Sequence, residues 1–332
     1  MDNELIKKIK RSKNRIHNML KDNKDKTIIF AFSGGKDSTL TLHFLLEILS
    51  KSRNNNFSKN IYVVFSNTGV EIPVYERYVY EFLDKLKNWI NHENIPLKVV
   101  EVKPVPEKTF WYCLFVRGYP MPTYSFRWCT RVLKTEPMRN FIKNHTPAVV
   151  VLGVRESESS TRKKTIKKRK TSKLWSSYDG VPNAKAFMPI VDWDENEVFE
   201  CLENSTTPWG ESYKELLNLY KLASSNKGIA RFGCWICSVV KRDKTLQCLY
   251  NNGYTLAKEL DKFKWYLYDE SRKPKNRIKL KNGRYSKIKP NVRRKLFGEF
   301  IIFNNTIIER YGVSLISDEE VKYIKKNMDK LE

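Results

Sequence analysis

Leu5, Ile9, Ile16, Met19 and Leu20 recur among lysines at helical spacing, which predicts an amphipathic helix over residues 4–22 lying on a core. The pattern then changes. Thr27-Ile28-Ile29-Phe30-Ala31-Phe32 is a continuous apolar run, and Leu40, Leu42, Phe44, Leu45, Leu46 and Ile48 after it read as a helix. Residues 61–65, 97–102 and 148–152 are further runs, with helical patterns around 74–86 and 134–143 between them. Short, mostly apolar runs fit strands of a sheet covered on both faces. Their alternation with helices makes βαβ units, so the expected fold is α/β: a parallel sheet with helices on both faces. Residues 187–193 are expected to add a strand. Asp194-Glu195-Asn196-Glu197-Val198 then opens a helix with acids in its first turn, where the helix dipole favours them. Beyond this the chain reads as mostly helical. Asn282-Gly283, between residues 278–281 and 284–288, signals a hairpin, and the tail from 291 is helical again. The expected division is 1–205 for the sheet domain and 206–332 for a smaller C-terminal region.

Charge adds a partner class. The chain carries 62 Lys and Arg against 37 Asp and Glu, a net +25. Such a surface attracts polyanions and gains from releasing their counterions, so nucleic acid is the expected large partner; a merely solvated lysine-rich face is the bland alternative. A hydrophobic fraction of 41% excludes a disordered chain. No apolar run approaches the ~20 residues that span a bilayer. Charges also interrupt any signal-peptide pattern in Met1-Asp2-Asn3-Glu4-Leu5-Ile6-Lys7-Lys8. A cytoplasmic location with no membrane partner is therefore expected. There the six cysteines are reduced, and clustered ones suggest metal or redox chemistry rather than disulfides.

The strongest chemical signal follows the first run. Gly34 and Gly35 let backbone amides converge without a Cβ clash, and the amides of the next helix N-terminus face an anion with a favourable dipole. Lys36 adds charge, and Ser33 and Ser38 add hydroxyls. The string is not a Walker motif, because Asp37 stands where Ser or Thr must follow the Lys and Phe30 where the first Gly belongs. The other notable positions also follow strands: Asn67 after the second, and Gly153 and Arg155 after the fourth. Ligands of such sheets bind at that edge. A dense basic run from Arg162 to Lys173 follows, read either as a mobile functional loop or as solvated surface.

Ser33-Gly34-Gly35-Lys36-Asp37-Ser38 resembles the signature of PP-loop ATP pyrophosphatases, and the chain resembles their phosphoadenosine-phosphosulfate reductase branch. The supporting segments are Asn67-Thr68-Gly69-Val70-Glu71-Ile72-Pro73, Arg127-Trp128-Cys129-Thr130-Arg131-Val132-Leu133-Lys134 and Gly153-Val154-Arg155-Glu156-Ser157. Gly118-Tyr119-Pro120-Met121-Pro122 and Arg231-Phe232-Gly233-Cys234-Trp235-Ile236-Cys237 look most like the DndC/SspD group of DNA phosphorothioation proteins. The resemblance covers residues 25–250 well and the tail loosely. It implies a HUP-type sheet that cleaves ATP between its α- and β-phosphates and adenylylates an acceptor oxygen. Ser33 to Ser38, Asn67, Gly153 and Arg155 would bind ATP. Lys36, Asp37, Arg155 and Arg162 would act on its phosphates, the arginines as pyrophosphate clamps. Many relatives carry Asp where this chain has Asn67, a weaker Mg²⁺ ligand, which leaves Asp37 as the better candidate to hold Mg²⁺.

Cys234-Trp235-Ile236-Cys237 read alone fits zinc, iron–sulfur, thiol redox or nothing. No second C-x-x-C completes a zinc site, and four histidines are few. The resemblance implies that Cys129, Cys234 and Cys237 hold a [4Fe–4S] cluster. The fourth position is either Cys248 or open, and an open iron would let sulfide bind. It further implies DNA as acceptor, a cysteine desulfurase as sulfur donor and other subunits of a phosphorothioation complex. DNA would lie over residues 162–173 and over Lys289, Arg293, Arg294 and Lys295. Rival readings are a reductase of adenylylated sulfate, a tRNA thiolase and a catalytically idle ATP-binding scaffold. The first usually needs a reactive cysteine in its C-terminal tail, which the last 80 residues here lack.

Overall fold

A computed structural model describes residues 1–51, 57–58, 60–158, 172–225, 230–240 and 242–330. The chain forms two compact units. The first comprises Met1–Ser66, Arg77–Val102 and Met138–Leu219, the second Asn67–Glu76, Lys103–Pro137 and Tyr220–Glu332.

The first unit holds the sheet. Its strands are β1 (Thr27–Phe32), β2 (Ile61–Ser66), β3 (Lys98–Val102), β4 (Ala148–Leu152), β5 (Trp175–Ser177) and β6 (Ala184–Phe187), in the order β3-β2-β1-β4-β6-β5. All neighbours pair in parallel except β5, which runs antiparallel to β6 at the edge. The runs of β1, β2 and β4 are largely buried, as their continuous apolar pattern predicts, whereas edge strand β3 exposes Lys98 and Glu101. Ile29, Val64 and Val150 form one cluster with Met138 and Ile142 of α5 (Glu136–Lys143). On β1 the alternate residues Ile28 and Phe30 are buried as well. Helix α2 (Lys36–Lys51) packs against both α1 (Asn3–Asp22) and α6 (Glu195–Glu203). Helix α1 lies on the core as expected, burying Leu5, Ile16, Met19 and Leu20. On its polar side Arg15 grips Asp192 in a bidentate pair at 2.7 and 2.8 Å. Of residues 187–193, only Phe187 is in a strand. The strand β6 ends at Phe187, and Pro189, which has no amide hydrogen to give a ladder, follows in a buried turn.

The order of strands matters for function. From β1 the chain winds outward through β2 and β3, then returns to β4 on the other side of β1. That makes the crevice between the ends of β1 and β4 the switch point where such sheets receive ligands.

Under α2, His43 is 3% exposed and its Nδ1 lies 3.1 Å from the Tyr213 hydroxyl. Desolvation by burial lowers the His43 pKa from its ordinary 6.5 to about 4, although Glu47 opposes the shift. A depressed imidazole pKa stabilises the fold above pH 6.5, where both states are neutral. That stability is lost as pH falls from about 6.5 to about 4, because only the unfolded chain takes the proton. The shift is worth about 3 kcal/mol. Thermal melts from pH 7.5 to 4.5 are expected to show a steeper fall for wild type than for His43→Gln; parallel curves would contradict this.

The second unit contains α4 (Phe110–Phe115), α8 (Lys244–Asn251), α9 (Leu256–Arg272), α10 (Pro290–Tyr311) and α11 (Asp318–Met328). Helices α3 (Pro73–Glu93) and α7 (Lys214–Ala223) each run from one unit into the other in sequence. The hairpin forms as β7 (Arg277–Lys279) and β8 (Tyr285–Ile288), and Gly283 takes a φ of 80° between them. The core is aromatic: Trp111 stacks on Phe300 at 3.9 Å between centroids, beside Phe115 and Trp235. Lys264, fully buried, bridges Asp243 at 3.2 Å and Asp261 at 2.8 Å, while Asp243 also caps α8. Arg293 is not surface, contrary to expectation. It is 5% exposed, and its Nη1 donates to the Val116 carbonyl at 2.5 Å. Among the described residues, no helix is long and apolar enough to cross a membrane.

Candidate functional site

The loop between β1 and α2 folds around its own hydroxyls. Gly34 has a φ of 78°, a conformation glycine adopts without strain. The Ser38 hydroxyl donates to the Gly35 carbonyl at 2.9 Å and accepts from the Ser33 amide at 3.2 Å. The Gly35 amide reaches only 3.4 Å to the Ser33 hydroxyl, a weak bond that an anion would displace. Lys36 and Arg155 are buried at 6% and 2% exposure. Arg155 Nε donates to Asp37 at 2.6 Å, its Nη1 donates to the Ser157 hydroxyl at 2.9 Å, and Ser157 in turn donates to the Trp193 carbonyl at 3.0 Å. Glu195, at the start of α6, meets Lys36 at 3.0 Å and Arg155 at 3.6 Å. Two cations and two carboxylates thus converge on a helix N-terminus at the switch point. The carboxylates neutralise the cations now; phosphate oxygens and a divalent ion could exchange into the same network.

Gly153 makes this approach of β4 to α2 feasible. A Cβ there would stand 2.5 Å from the Asp37 carbonyl oxygen and 2.8 Å from Ser38 Cα. Of the sequence-predicted residues, Asp37 and Ser38 therefore meet Gly153, Asp37 meets Arg155, and Lys36 joins Arg155 through Glu195. Arg162 and the basic residues to 171 lie outside the described residues. Glu195 and Ser157 were not singled out for this site. The acidic first turn of α6 was visible, but its long-range pairing with Lys36 was not.

The second unit brings the cysteines together. Cys129, Cys234, Cys237 and Cys248 all line one cavity of about 750 Å³, whose wall also includes Lys134. The C-x-x-C lies in a turn, with the Cys237 amide donating to the Cys234 carbonyl at 3.1 Å, and does not open a helix as a thioredoxin-type pair would. Cys129 immediately precedes a π-helical turn, Thr130–Thr135. The loop after β2 braces this cavity. Glu71 accepts from the Thr68 hydroxyl at 2.6 Å and from the Thr68 and Val70 amides at 3.2 Å each. Thr68 Oγ1 lies 3.4 Å from Cys234 Sγ, and the Trp235 amide donates to the Val70 carbonyl at 3.0 Å. Asn67 is buried in the same loop, its Oδ1 accepting from the Gly69 amide at 2.6 Å. Two motifs that lie far apart in sequence, Asn67–Pro73 and Cys234–Cys237, are thus one structural element.

Burial pushes the Cys234 thiol up to about 11 against the pull of Lys134. The Lys134 ammonium is pushed up in turn, chiefly by Cys234, with Glu71, Cys237 and Cys129 adding against desolvation. Its side chain stays accessible because it opens into the cavity, although protein atoms crowd its ammonium. Among the described residues no three His, Cys, Asp or Glu side chains stand as a preformed metal-holding group. These four cysteines share the cavity with the Lys134 cation. Cys113 and Cys201 are core residues at 0% and 1% exposure.

The fold is thus α/β, with a helix N-terminus and two buried cations at the switch point of a mostly parallel sheet. Residues 27–240 match the phosphoadenosine phosphosulfate reductase domain, and the chain belongs to that family. It is 26% identical over 248 residues to the uncharacterized protein MJ0973 of Methanocaldococcus jannaschii, covering 75% of this chain and 50% of that protein. It is 28% identical over 219 residues to the uncharacterized protein MJ0066 of the same organism, covering 65% and 37%. The chain thus spans half or less of the length of these relatives. Similar solved structures include phosphoadenylyl-sulfate reductase from Candida auris in a phosphate complex, with a TM-score of 0.45, 16% identity, and coverage of 72% of this chain and 98% of that one. Another is the NH3-dependent NAD synthetase of Campylobacter jejuni, with a TM-score of 0.35, 12% identity, and coverage of 99% and 94%.

Proposed function

We propose that the protein is an ATP pyrophosphatase that adenylylates a nonbridging phosphate oxygen of DNA in preparation for sulfur insertion. The observation that carries the ATP reading is the convergence of buried Lys36 and Arg155 on the loop from Ser33 to Ser38. The triphosphate would take the loop amides and the α2 dipole, Lys36 and Arg155 would draw charge toward the departing pyrophosphate, and Arg162 would close on it. Asp37, relieved of Arg155 by phosphate, would hold Mg²⁺, which supplies charge neutralisation when bound. The acceptor oxygen attacks the α-phosphorus, the bond to the bridging oxygen of the β-phosphate breaks, and pyrophosphate leaves. Sulfur at the oxidation level of sulfide then attacks the DNA phosphorus, and AMP leaves with the activated oxygen.

A [4Fe–4S] cluster would be held by Cys129, Cys234 and Cys237, with Cys248, which lines the same cavity, as the candidate fourth ligand. When bound it would supply a thiophilic centre for sulfur from a cysteine desulfurase. With the cluster bound, Lys134 would balance thiolate charge there, and Thr68, 3.4 Å from Cys234, would orient it. The charge of +25 supports DNA as the acceptor, as does the resemblance to phosphorothioation proteins. Pyrophosphate release measured with duplex DNA, single-stranded DNA, tRNA or sulfate separates this reading from the thiolase and the reductase; no release with any of them leaves the scaffold.

The cysteine assignment has its own readout. Anaerobically purified protein is expected to be brown, with about four irons and four sulfides per chain. Cys234→Ser is expected to lower both at least several-fold, while Cys201→Ser leaves them unchanged. Stoichiometric zinc in a colourless protein would contradict the assignment.

A further inference from the structure

We propose that an aromatic and cationic ledge beside the cysteine cavity, formed by Tyr124, Phe126, Arg127, Trp265 and Tyr268, binds an unpaired stretch of DNA by stacking on its bases. This deepens the preceding reading and rests on it for the choice of DNA.

The ledge belongs wholly to the second unit and is built from two segments. Tyr124 and Phe126 sit at 80% and 45% exposure in the turn that ends at Arg127, and the described residues contain no large apolar side chain more exposed than Tyr124. The Arg127 guanidinium lies 4.4 Å from the centre of the Tyr124 ring, holding that ring against a planar cation. Helix α9 supplies Trp265 and Tyr268, packed edge to face at 5.2 Å, with the Arg272 guanidinium 5.5 Å from the centre of the Tyr268 ring. Tyr124, Val239, Trp265 and Tyr268 line one open groove of about 400 Å³, enough for a nucleobase. Val239 lines the cysteine cavity too, as do Arg127, Arg242 and Lys244, so the groove and the cavity adjoin.

Tyr124 shows one ring face to Arg127 and leaves the other open to solvent. Aromatic faces accompanied by guanidinium groups suit nucleic acid: the rings take bases and the cations take the phosphates between them. A purely apolar partner would gain nothing from the arginines, and a duplex would hide its base faces. Unpaired DNA satisfies both halves. A base held in the groove leaves its phosphate close to the cavity proposed to supply sulfur.

The test is fluorescence anisotropy of labelled oligothymidylate, without ATP, at several salt concentrations. Wild type is expected to bind the single strand at least ten-fold more tightly than a duplex of equal length. Tyr124→Ala is expected to weaken single-strand binding about ten-fold or more, whereas Tyr124→Phe, which keeps the face, stays within about two-fold. Because Tyr124 is exposed, its loss should leave the thermal melt unchanged. Trp265→Phe should abolish a part of the tryptophan quenching on binding. Equal affinity for strand and duplex, wild-type binding by Tyr124→Ala, tighter binding of oligouridylate, or binding only to anionic vesicles would each overturn the proposal. If the strand binds through Tyr124 but never elicits pyrophosphate release, the ledge stands and the adenylylation reading falls. If DNA stimulates release equally in Tyr124→Ala, the reverse holds.

Discussion

Lys36→Ala is expected to lower ATP-dependent pyrophosphate release by about 100- to 1,000-fold, the usual cost of removing one preorganised charge from a developing anion. Lys36 is 6% exposed and stands at the first position of α2, with its ammonium 3.0 Å from Glu195 and 3.4 Å from Asp37. A buried cation held by two carboxylates has paid its desolvation already, so substrate phosphate needs only to replace one set of oxygens by another. Lys36→Arg should recover little, because a planar fork cannot take the place of a compact ammonium within an enclosed turn. The measurement is release of pyrophosphate with the most active acceptor, alongside a thermal melt. Loss of activity with an intact melt supports a phosphate role. Full activity in Lys36→Ala would remove this residue from the chemistry.

Gly153→Ala is expected to damage both stability and activity, by a route that involves no functional group. Its added Cβ would lie 2.5 Å from the Asp37 oxygen, 2.7 Å from the Asp37 carbonyl carbon and 2.8 Å from Ser38 Cα. All three are backbone atoms, so no side chain can swing aside. Either the end of β4 or the start of α2 must shift, at a cost of about 1–3 kcal/mol. That shift pulls Asp37 from Arg155 and distorts the loop around Ser38. The melting temperature should fall by several degrees, and pyrophosphate release should fall at least ten-fold even at temperatures where the variant is folded. Gly298→Ala makes the control: nothing lies within 4 Å of its added Cβ, so it should be neutral or mildly stabilising. A Gly153→Ala protein with wild-type activity would mean that the close approach of the two segments is incidental.

The parts of this protein that local patterns control were legible in its sequence. The runs that became β1, β2 and β4 are apolar on both faces, and a strand with both faces covered has to read that way, whereas β3 at the sheet edge keeps Lys98 and Glu101 exposed. The glycine pair and the helix start after β1 are equally local. What escaped was non-local or short. Strand β5 has three residues and no alternation, so it leaves almost no periodic trace. Residues 187–193 carry strand-like side chains, but tertiary packing buries them in a turn after Phe187. Arg293 looks like any cation in a basic stretch, yet it is buried under the Val116 carbonyl, with Gly118 shaped to receive it. The pairing of Lys36 with Glu195 and of Thr68 with Cys234 joins residues more than a hundred positions apart. Each partner was chemically plausible alone, but only the fold says that they meet.

The same contrast explains why the two halves of the proposed chemistry rest on different grounds. The proposal for the phosphate loop rests on sequence and geometry together, since the hydrogen bonds of Ser33, Gly35 and Ser38 organise the loop that the motif marks. The cysteine cavity is lined by four cysteines, whose role in sulfur chemistry is the proposal tested by iron and sulfide analysis.

The most direct test of the central claim is a crystal structure with an ATP analogue whose α–β bridge cannot be cleaved. The account predicts the triphosphate against the amides of Gly34 to Ser38, with Lys36 and Arg155 turned from Glu195 and Asp37 onto phosphate oxygens. A triphosphate bound elsewhere, with both ion pairs intact, would contradict it.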